Sequence, residues 1–388
     1  MNEDKKNVLS LSLLSTADAF KAIHQEWNEL LATSKANTIF LTWEWTHTWW
    51  EVYGHAHQLL LLKIQDEKGT CVGLAPFKIA RRHILGIPYR QVEFMGSCEK
   101  THPDYLDLIV APGYHSAVTD AVWNYLIAHK NLWDTIYCSD IPSTSETHPR
   151  LNHLAQQAGF VTHLKQPTLC PYLPITTSWE EYLKSLSSNQ RYNTQRKEKR
   201  ITKLYPMNLE EVYAGTDITV ALEELFDLHK TIWNTKGEEG AFHTHPLNKT
   251  FHCKIAETFS ALGWIVIYSL KIDGKTAAIL YAYRYNHKIF YYQMGRSPAW
   301  AEYGVGQVMI KLILQSLFKN GESTAFYFLQ GTESYKYHWT KAEHVNLHLC
   351  LWNQTVRGKI VCFVAGIERW GRNMLRPIRR RIEKILSK

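Results

Sequence analysis

The sequence predicts an α/β protein with mixed sheets: two similar domains in tandem that share a cleft, followed by a basic amphipathic helix. Three observations predict it. A strand–turn–strand pattern occurs twice, at 58–78 (QLLLLKIQDEKGTCVGLAPFK) and at 264–283 (WIVIYSLKIDGKTAAILYAY), the second around an Asp-Gly turn. Each hairpin leads to an aromatic strand ending in Met-Gly, QVEFMG at 91–96 and FYYQMG at 290–295. Each unit then repeats a loop, an apolar helix and a further strand, and each is preceded by a Trp-bearing helix. A chain of 388 residues is long enough for two such domains.

The first domain is assigned to residues 1–175. It opens with the helix HQEWNELL (24–31) and the Trp-rich segment TWEWTHTWW (42–50), and after the hairpin carries an apolar helix at 117–129 and a strand at 134–138. Pro171 and Pro174 punctuate its end. The second domain is assigned to 176–353. Ser178, followed three residues later by Glu181, reads as a capping box that opens a helix. A basic stretch follows, with seven Lys/Arg and one Glu over 184–203. Helices around 220–233 and 247–261 flank the loop KGEEGAFHTHP, and the repeated unit supplies an apolar helix at 305–319 and a strand at 324–329. Alternation in EHVNLHLCLWN (343–353) reads as a last strand. Over 354–388, Ile360, Val361, Phe363, Val364, Ile367, Trp370, Met374, Leu375, Ile378, Ile382 and Ile385 recur at helical spacing with basic residues between them, and Pro377 kinks or restarts the helix. Two readings follow: a helix lying on an anionic membrane, or one packed on the body with a solvated basic face.

The formal charge of +8 is concentrated in that tail. Residues 357–388 hold ten Lys/Arg and two Asp/Glu, and the rest of the chain balances at 34 against 34. Overall pI is therefore no argument for nucleic acid. None of the seven cysteines forms a CxxC pair, and most lie in apolar strand-like runs, as small buried hydrophobes in a reducing compartment do. The N-terminus lacks a secretory cleavage pattern, and no run reaches the roughly 18–20 apolar residues of a membrane span. The expectation is a cytoplasmic protein, peripheral at the inner membrane face if the tail binds lipid.

The strand–loop–helix at 288–319 holds the strongest chemical signal. Tyr303, Gly304, Val305, Gly306 and Gln307 sit where a helix begins, with Arg296 upstream, and free N–H groups there favour an anion. The second signal is Lys336, between Tyr335 and Tyr337, a cation suited to a phosphate or a developing oxyanion. His243, His245 and His252 lack a standard zinc spacing, so no metal is expected; they or His229 are candidates to line an acceptor cleft and act as base. Trp43, Trp45, Trp49 and Trp50 read either as a sugar-stacking surface or as a core face. No Ser-His-Asp order or catalytic cysteine context is visible, which argues against covalent catalysis.

The order of these pieces resembles the Fem-type and CelD-like branch of the GNAT superfamily, whose members carry two GNAT domains in tandem. The resemblance runs from about residue 10 to about 350 through TWEWTHTWW, GLAPF (73–77), FMG (94–96), DYLD (104–107), HKTIWNTKGEEGAF (229–242), SPAWAEYGVG (297–306) and GTESYK (331–336). It departs from the pattern at Ala301, where the pyrophosphate loop has Arg or Gln. The resemblance implies an N-acyltransferase that moves an acyl group from acyl-CoA, a co-substrate and no permanent cofactor, to an amine on an amino sugar or a polysaccharide or envelope precursor. It implies that Gly304 and Gly306 bind the pyrophosphate and that Lys336 stabilises the transition state or a phosphate, with Tyr335 in the aromatic place and Glu333 as the acidic residue before it. Asp104 and Asp107 match acidic positions facing the cleft, where a carboxyl raised by burial accepts the amine proton. Arg191 and Arg196 match a basic helix for a phosphorylated acceptor, and Trp43 and Trp45 fall in the acceptor segment. The first domain's helix-opening APGYHSAV has no Gly-x-Gly and is expected to have lost donor binding. The long helical hairpin of some Fem-type ligases has no counterpart, which favours acyl-CoA over aminoacyl-tRNA. Two alternatives remain: an aminoacyl-tRNA-dependent transferase, motivated by 184–203, and a non-catalytic scaffold in polysaccharide assembly, motivated by Ala301.

Overall fold

The computed structural model describes residues 8–97, 101–213, 215–234, 237 and 240–369. The first half runs through β1 (Ser10–Leu14), α1 (Ala17–Ala22), α2 (His24–Thr33), α3 (Trp43–Tyr53), β2 (His57–Gln65), β3 (Cys71–Ile84), β4 (Ile87–Phe94), β5 (Ile109–Val110), α4 (His115–Ala128), β6 (Thr135–Pro142), α5 (Thr147–Gln157), β7 (Val161–Leu164) and β8 (Thr168–Pro174). The second runs through α6 (Trp179–Ser185), α7 (Ser188–Thr202), β9 (Met207–Val212), α8 (Thr216–Asn234), α9 (Ala241–Thr244), α10 (Pro246–Leu262), β10 (Ile265–Ile272), β11 (Lys275–Tyr285), β12 (Lys288–Arg296), α11 (Val305–Asn320), β13 (Ala325–Tyr327) and β14 (Glu343–Trp352). Residues 356–369 form a last helix, α12. The remainder of the expected tail lies outside the described residues.

Local chemistry sets these elements as the sequence implies. Asp273 and Gly274 take φ of 51° and 70° between the paired Ile272 and Lys275, the two-residue turn that matches strand twist. Ser178 Oγ accepts the Glu181 N–H at 3.2 Å, while the Glu181 carboxylate accepts the Ser178 N–H at 3.1 Å. A second box, Ser187 with Gln190, opens α7, so the basic stretch becomes two helices.

The strands form one sheet in the order β1-β2-β3-β4-β6-β14-β8-β13-β12-β11-β10-β9, with β5 beside β3 and β7 beside β14. Read from either edge, the order repeats: an antiparallel meander, then a parallel neighbour, then one more strand. That last strand is exchanged. β8, from the first half, pairs with β13 of the second, and β14, from the second, pairs with β6 of the first. β8 and β14 pair with each other and make the seam. Sequence alternation identifies 343–353 as a strand but assigns it to its own half; the structure gives it to the other.

Alternation also divides the cores. On β10, Ile265 and Ile267 face the core shared with α3, α8 and α10, whereas Val266, Tyr268 and Leu270 face the core under α11. α3 and α10 meet across the units, where Tyr53 Oη donates to Asn248 Oδ1 at 2.6 Å. Trp45 fills this shared core against Phe40, Phe251 and Tyr283, and Trp43 packs on His24 and His47 with its indole N–H on Phe20 O. Neither lines either of the two cavities described below, so the acceptor role expected of Trp43 and Trp45 is corrected: Trp43 is half-buried against His24 and His47, and the helical phase of α3 turns Trp45 and Trp49 inward together.

Strand exchange has a direct consequence for truncation. Residues 1–175 alone leave β6 without β14 and β8 without either neighbour, and exposed strand edges of this kind aggregate. The fragment is expected to be insoluble or to lack a cooperative melting transition, and to be rescued by co-expression with 176–388. A monodisperse, cooperatively melting 1–175 fragment would contradict the exchange.

Candidate active site

Two parallel strand pairs in this sheet part company. β4 and β6 pair only from Gln91–Glu93 with Thr135–Tyr137, and β12 and β13 only from Lys288–Phe290 with Ala325–Tyr327. Beyond those residues each pair opens a wedge whose backbone groups need partners. In the first unit the chain fills its own wedge. β5 takes the place on β3 at Gly73–Leu74 that β4 has left, and the Leu106 N–H donates to Asp140 O at 2.9 Å. Beneath it, the wholly buried Lys78 ammonium donates to Ser97 O at 3.0 Å and lies 4.2 Å over Trp49. In the second unit the wedge stays open. Tyr292 is the extra residue of a β-bulge opposite β11, and bulges re-aim strands beside sites. A cavity of about 470 Å³ is lined by Tyr291, Tyr292, Gln293, His252, Gln330 and Lys336 among others, with His102 reaching in from the first half. A second, of about 290 Å³, lies toward α11 and is lined by His229, Trp233, Arg296, Gly306 and Gln307. Tyr291, Gln293 and Tyr335 line both, so the two adjoin.

The α11 end gathers cationic side chains around a glycine-opened helix start. Gly304 takes φ 65° at the helix start, and a Cβ on Gly306 would lie 2.9 Å from Arg296 Cδ. Lys197 of α7 bonds Gln307 Oε1 and reaches over Gly304, and burial pulls its pKa down. Arg200 holds Glu302 at 2.8 Å and lies 4.7 Å over Tyr303. Arg296, Gly306 and Gln307 thus line the cavity, while Tyr303, Gly304 and the buried Val305 support it. Lys197, which reaches Gly304 and Gln307, was not singled out by sequence; Arg191 and Arg196 were, and neither lines these two cavities. Arg196 is exposed, 5.7 Å over Tyr192. The reason is helical phase: Thr194 and Ile201 are the buried residues of α7, which points Lys197 and Glu198 inward, and Glu198 pairs with Lys311 at 2.8 Å.

The opposite end is the buried Lys336. Its ammonium donates to Leu329 O at 3.2 Å and Gln330 O at 2.5 Å and pairs with Glu333 at 3.0 Å. Glu333 itself is 57% exposed and lies over Gly331, whose φ of 113° and missing Cβ leave the space. Displacing that carboxylate frees one ammonium donor toward the cavity. Asp104 lies behind this loop, wholly buried, accepting the Gln330 N–H at 2.8 Å and facing Asn346 Nδ2 at 3.4 Å. Burial pushes its carboxyl up to about 8, aided by Asp140 and opposed by the Gln330 N–H and Lys336. Asp104 is raised as expected but lines neither cavity, which corrects its expected role as base: it accepts the Gln330 N–H behind the loop that holds Lys336. Asp107 is corrected too. Its buried carboxyl, also raised by burial, opens on a separate cavity of about 350 Å³ beside His115 and Ser145. Tyr105, at φ 59° between the two, sends them opposite ways.

Two histidines beside the wedge are neutral. Burial pulls His252 down to about 3 and His229 to about 4. Tyr292 Oη donates to Thr101 O at 2.6 Å, which leaves it to accept from His252 Nε2 at 3.3 Å and leaves His252 Nδ1 a bare acceptor. Tyr335, at the junction of the cavities, bonds the Tyr291 hydroxyl, and burial pushes its phenol up to about 12. The Met294 N–H, past the end of the β12–β13 ladder, is met at 3.0 Å by Gln293's own side-chain oxygen. His102, Tyr105, Asp140 and Leu329 take φ of 40–60°, a strain of about 1–3 kcal/mol each that gathers at functional sites.

Comparison with known proteins agrees with this geometry. Residues 188–337 match the family model of the acetyltransferase (GNAT) domain. The whole chain is similar in structure to FemX, at 11% identity over 84% of this chain and 95% of that one with a TM-score of 0.57. It is similar to the C-terminal domain of a putative lysylphosphatidylglycerol synthetase from Agrobacterium fabrum, at 12% identity over 90% and 97% with a TM-score of 0.51. It is also similar to L-PGS from Bacillus licheniformis, at 11% identity over 88% and 96% with a TM-score of 0.50. No curated protein sequence matches the chain. Residues 188–337 of the second unit thus match the GNAT domain model, and the two units together share the fold of these three structures.

Asp104 gives a pH signature. An ordinary aspartate titrates near 3.9. Between about pH 4 and 8 only the folded chain holds the Asp104 proton, so this carboxyl's contribution to stability falls as pH rises and levels off above 8. Asp104→Asn stays neutral throughout. Its Tm relative to wild type should climb between pH 5 and 9; a difference that does not change with pH would show that Asp104 is ionised in the fold.

Proposed function

We propose that the chain is an acyl-CoA-dependent N-acyltransferase acting on an amine, with an amino sugar or a polysaccharide or envelope precursor as acceptor class. The observation that carries this reading is the open wedge between β12 and β13, which connects an anion-binding helix start to a buried lysine. The donor's phosphates meet α11, Lys197 and Arg296; its arm lies along the unpaired edge of β12; its thioester reaches Tyr335. The acceptor enters the larger cavity past His102 and His252.

The amine nitrogen attacks the thioester carbon, a C–N bond forms, the C–S bond breaks, and the thiolate takes up a proton as the amine gives one up. The Met294 N–H, released by Gln293, and the Lys336 ammonium, released by Glu333, are the donors for the oxyanion. Tyr335 still carries its proton at neutral pH and hands it to the leaving sulfur, the amine proton passes to solvent in the open cavity, and the tyrosinate regains a proton from solvent; burial makes His252 too weak a base for that step.

Lys336→Met should lower kcat by about 10²–10³-fold while leaving acyl-CoA affinity within a few-fold, as removal of one oxyanion donor does; unchanged turnover would remove Lys336 from the chemistry. A thermal-shift titration with CoA, acetyl-CoA and longer acyl-CoAs tests the donor. A ligand at a hundred times its Kd stabilises a fold by about 2.7 kcal/mol. The expected result is a dose-dependent shift abolished by Gly306→Glu, which puts a side chain and a negative charge where the phosphates bind. The exposed Arg196, Lys199, Arg200 and Lys203 running past α11 are the observation that favours a nucleic-acid-linked donor instead. Absence of any CoA shift, with tRNA binding that falls steeply with salt, would replace the acyl-CoA reading with that one.

A further inference from the structure

Helix α12 is attached to the first unit by one face only. Val361 is buried, and Cys362 and Ala365 pack beside it against Ile84, Tyr89, Tyr137 and Trp352. Arg357 ties the start of the helix down, pairing with Asp134 at 3.4 Å and donating to Pro88 O at 2.7 Å. The outer face carries Val356, Ile360, Phe363 and Ile367, exposed by 77, 47, 71 and 46%. With 3.6 residues per turn these four fall within an arc of about 60°. Single exposed apolar residues are ordinary on a protein surface; four in one stripe on one helix are not.

Charge identifies what the stripe meets. The net excess of the chain, +8, lies entirely within 357–388, so it begins where the stripe begins. A second copy docking by this face would bring like charge against like charge. A surface that is apolar below and negative above is complementary to both features at once, and an anionic bilayer is such a surface.

We propose that α12 docks the chain on an anionic membrane, with Val356, Ile360, Phe363 and Ile367 entering the headgroup–acyl boundary and the basic excess that follows Arg357 in the sequence strengthening the attraction to anionic lipid. The full chain is tested by co-sedimentation with vesicles of phosphatidylcholine alone and with added phosphatidylglycerol. It should bind the phosphatidylglycerol vesicles at least about tenfold more tightly, and high salt should weaken that binding. The double variant Phe363→Glu, Ile367→Glu should lose about tenfold or more in affinity with an unchanged Tm, because both residues are exposed. A second variant, Arg379, Arg380 and Arg381→Ser, should weaken binding to the phosphatidylglycerol vesicles and leave binding to phosphatidylcholine unaltered. Failure to bind either vesicle, binding that both variants retain, or a solution dimer that Phe363→Glu dissociates would each overturn the proposal.

Discussion

One buried carboxyl joins the two units beside the open wedge. Asp104 sits at the end of the segment that fills the first unit's wedge, and it accepts the backbone N–H of Gln330 on the edge of the second unit's wedge. Gln330 and Leu329 in turn receive the Lys336 ammonium. A charge or donor left unpaired at this depth costs on the order of 1–3 kcal/mol, more if ionised, so the three groups hold one another in place. The left-handed backbone at Leu329 persists because this set over-determines it.

The same segment explains why a duplicated architecture presents one open wedge. Parallel strands that diverge must pair with something. In the first unit Leu106 and β5 take up the free backbone groups, and Lys78 with Glu93 fills the floor. In the second unit the corresponding groups on β12 past Phe290 face a cavity, and the Met294 N–H makes do with its neighbour's side chain. The first unit then serves the second: it lends β8 to its sheet, Asp104 to the loop that holds Lys336 and His102 to its cavity wall.

Features set by local chemistry were legible in the sequence. The Asp273-Gly274 hairpin, the Ser178 box, the Met-Gly strand ends, the glycine-opened α11 and the aromatic-flanked Lys336 all follow from residue type and spacing over a few positions. Features set by distant pairing were not. Alternation in β14 states which residues face inward and is silent about the neighbour, so the exchange with β8 was invisible. Asp104 and Asp107 share a motif, but the positive φ at Tyr105 breaks the regular geometry on which a shared face depends. The choice of Arg196 over Lys197 had a remedy in the sequence itself: Ile201 is the one aliphatic side chain of α7, and counting back from it places Lys197 on the inner face.

The central claim is that a single donor site exists, in the second unit, with the first unit's equivalent closed by its own chain. Hydrogen exchange on the full chain with and without saturating acetyl-CoA tests it most directly. The account predicts slowed exchange at 291–296, 304–310 and 329–336, and none at 94–97 or 111–118. Protection of those first-unit segments, or a stoichiometry of two ligands per chain, would contradict it.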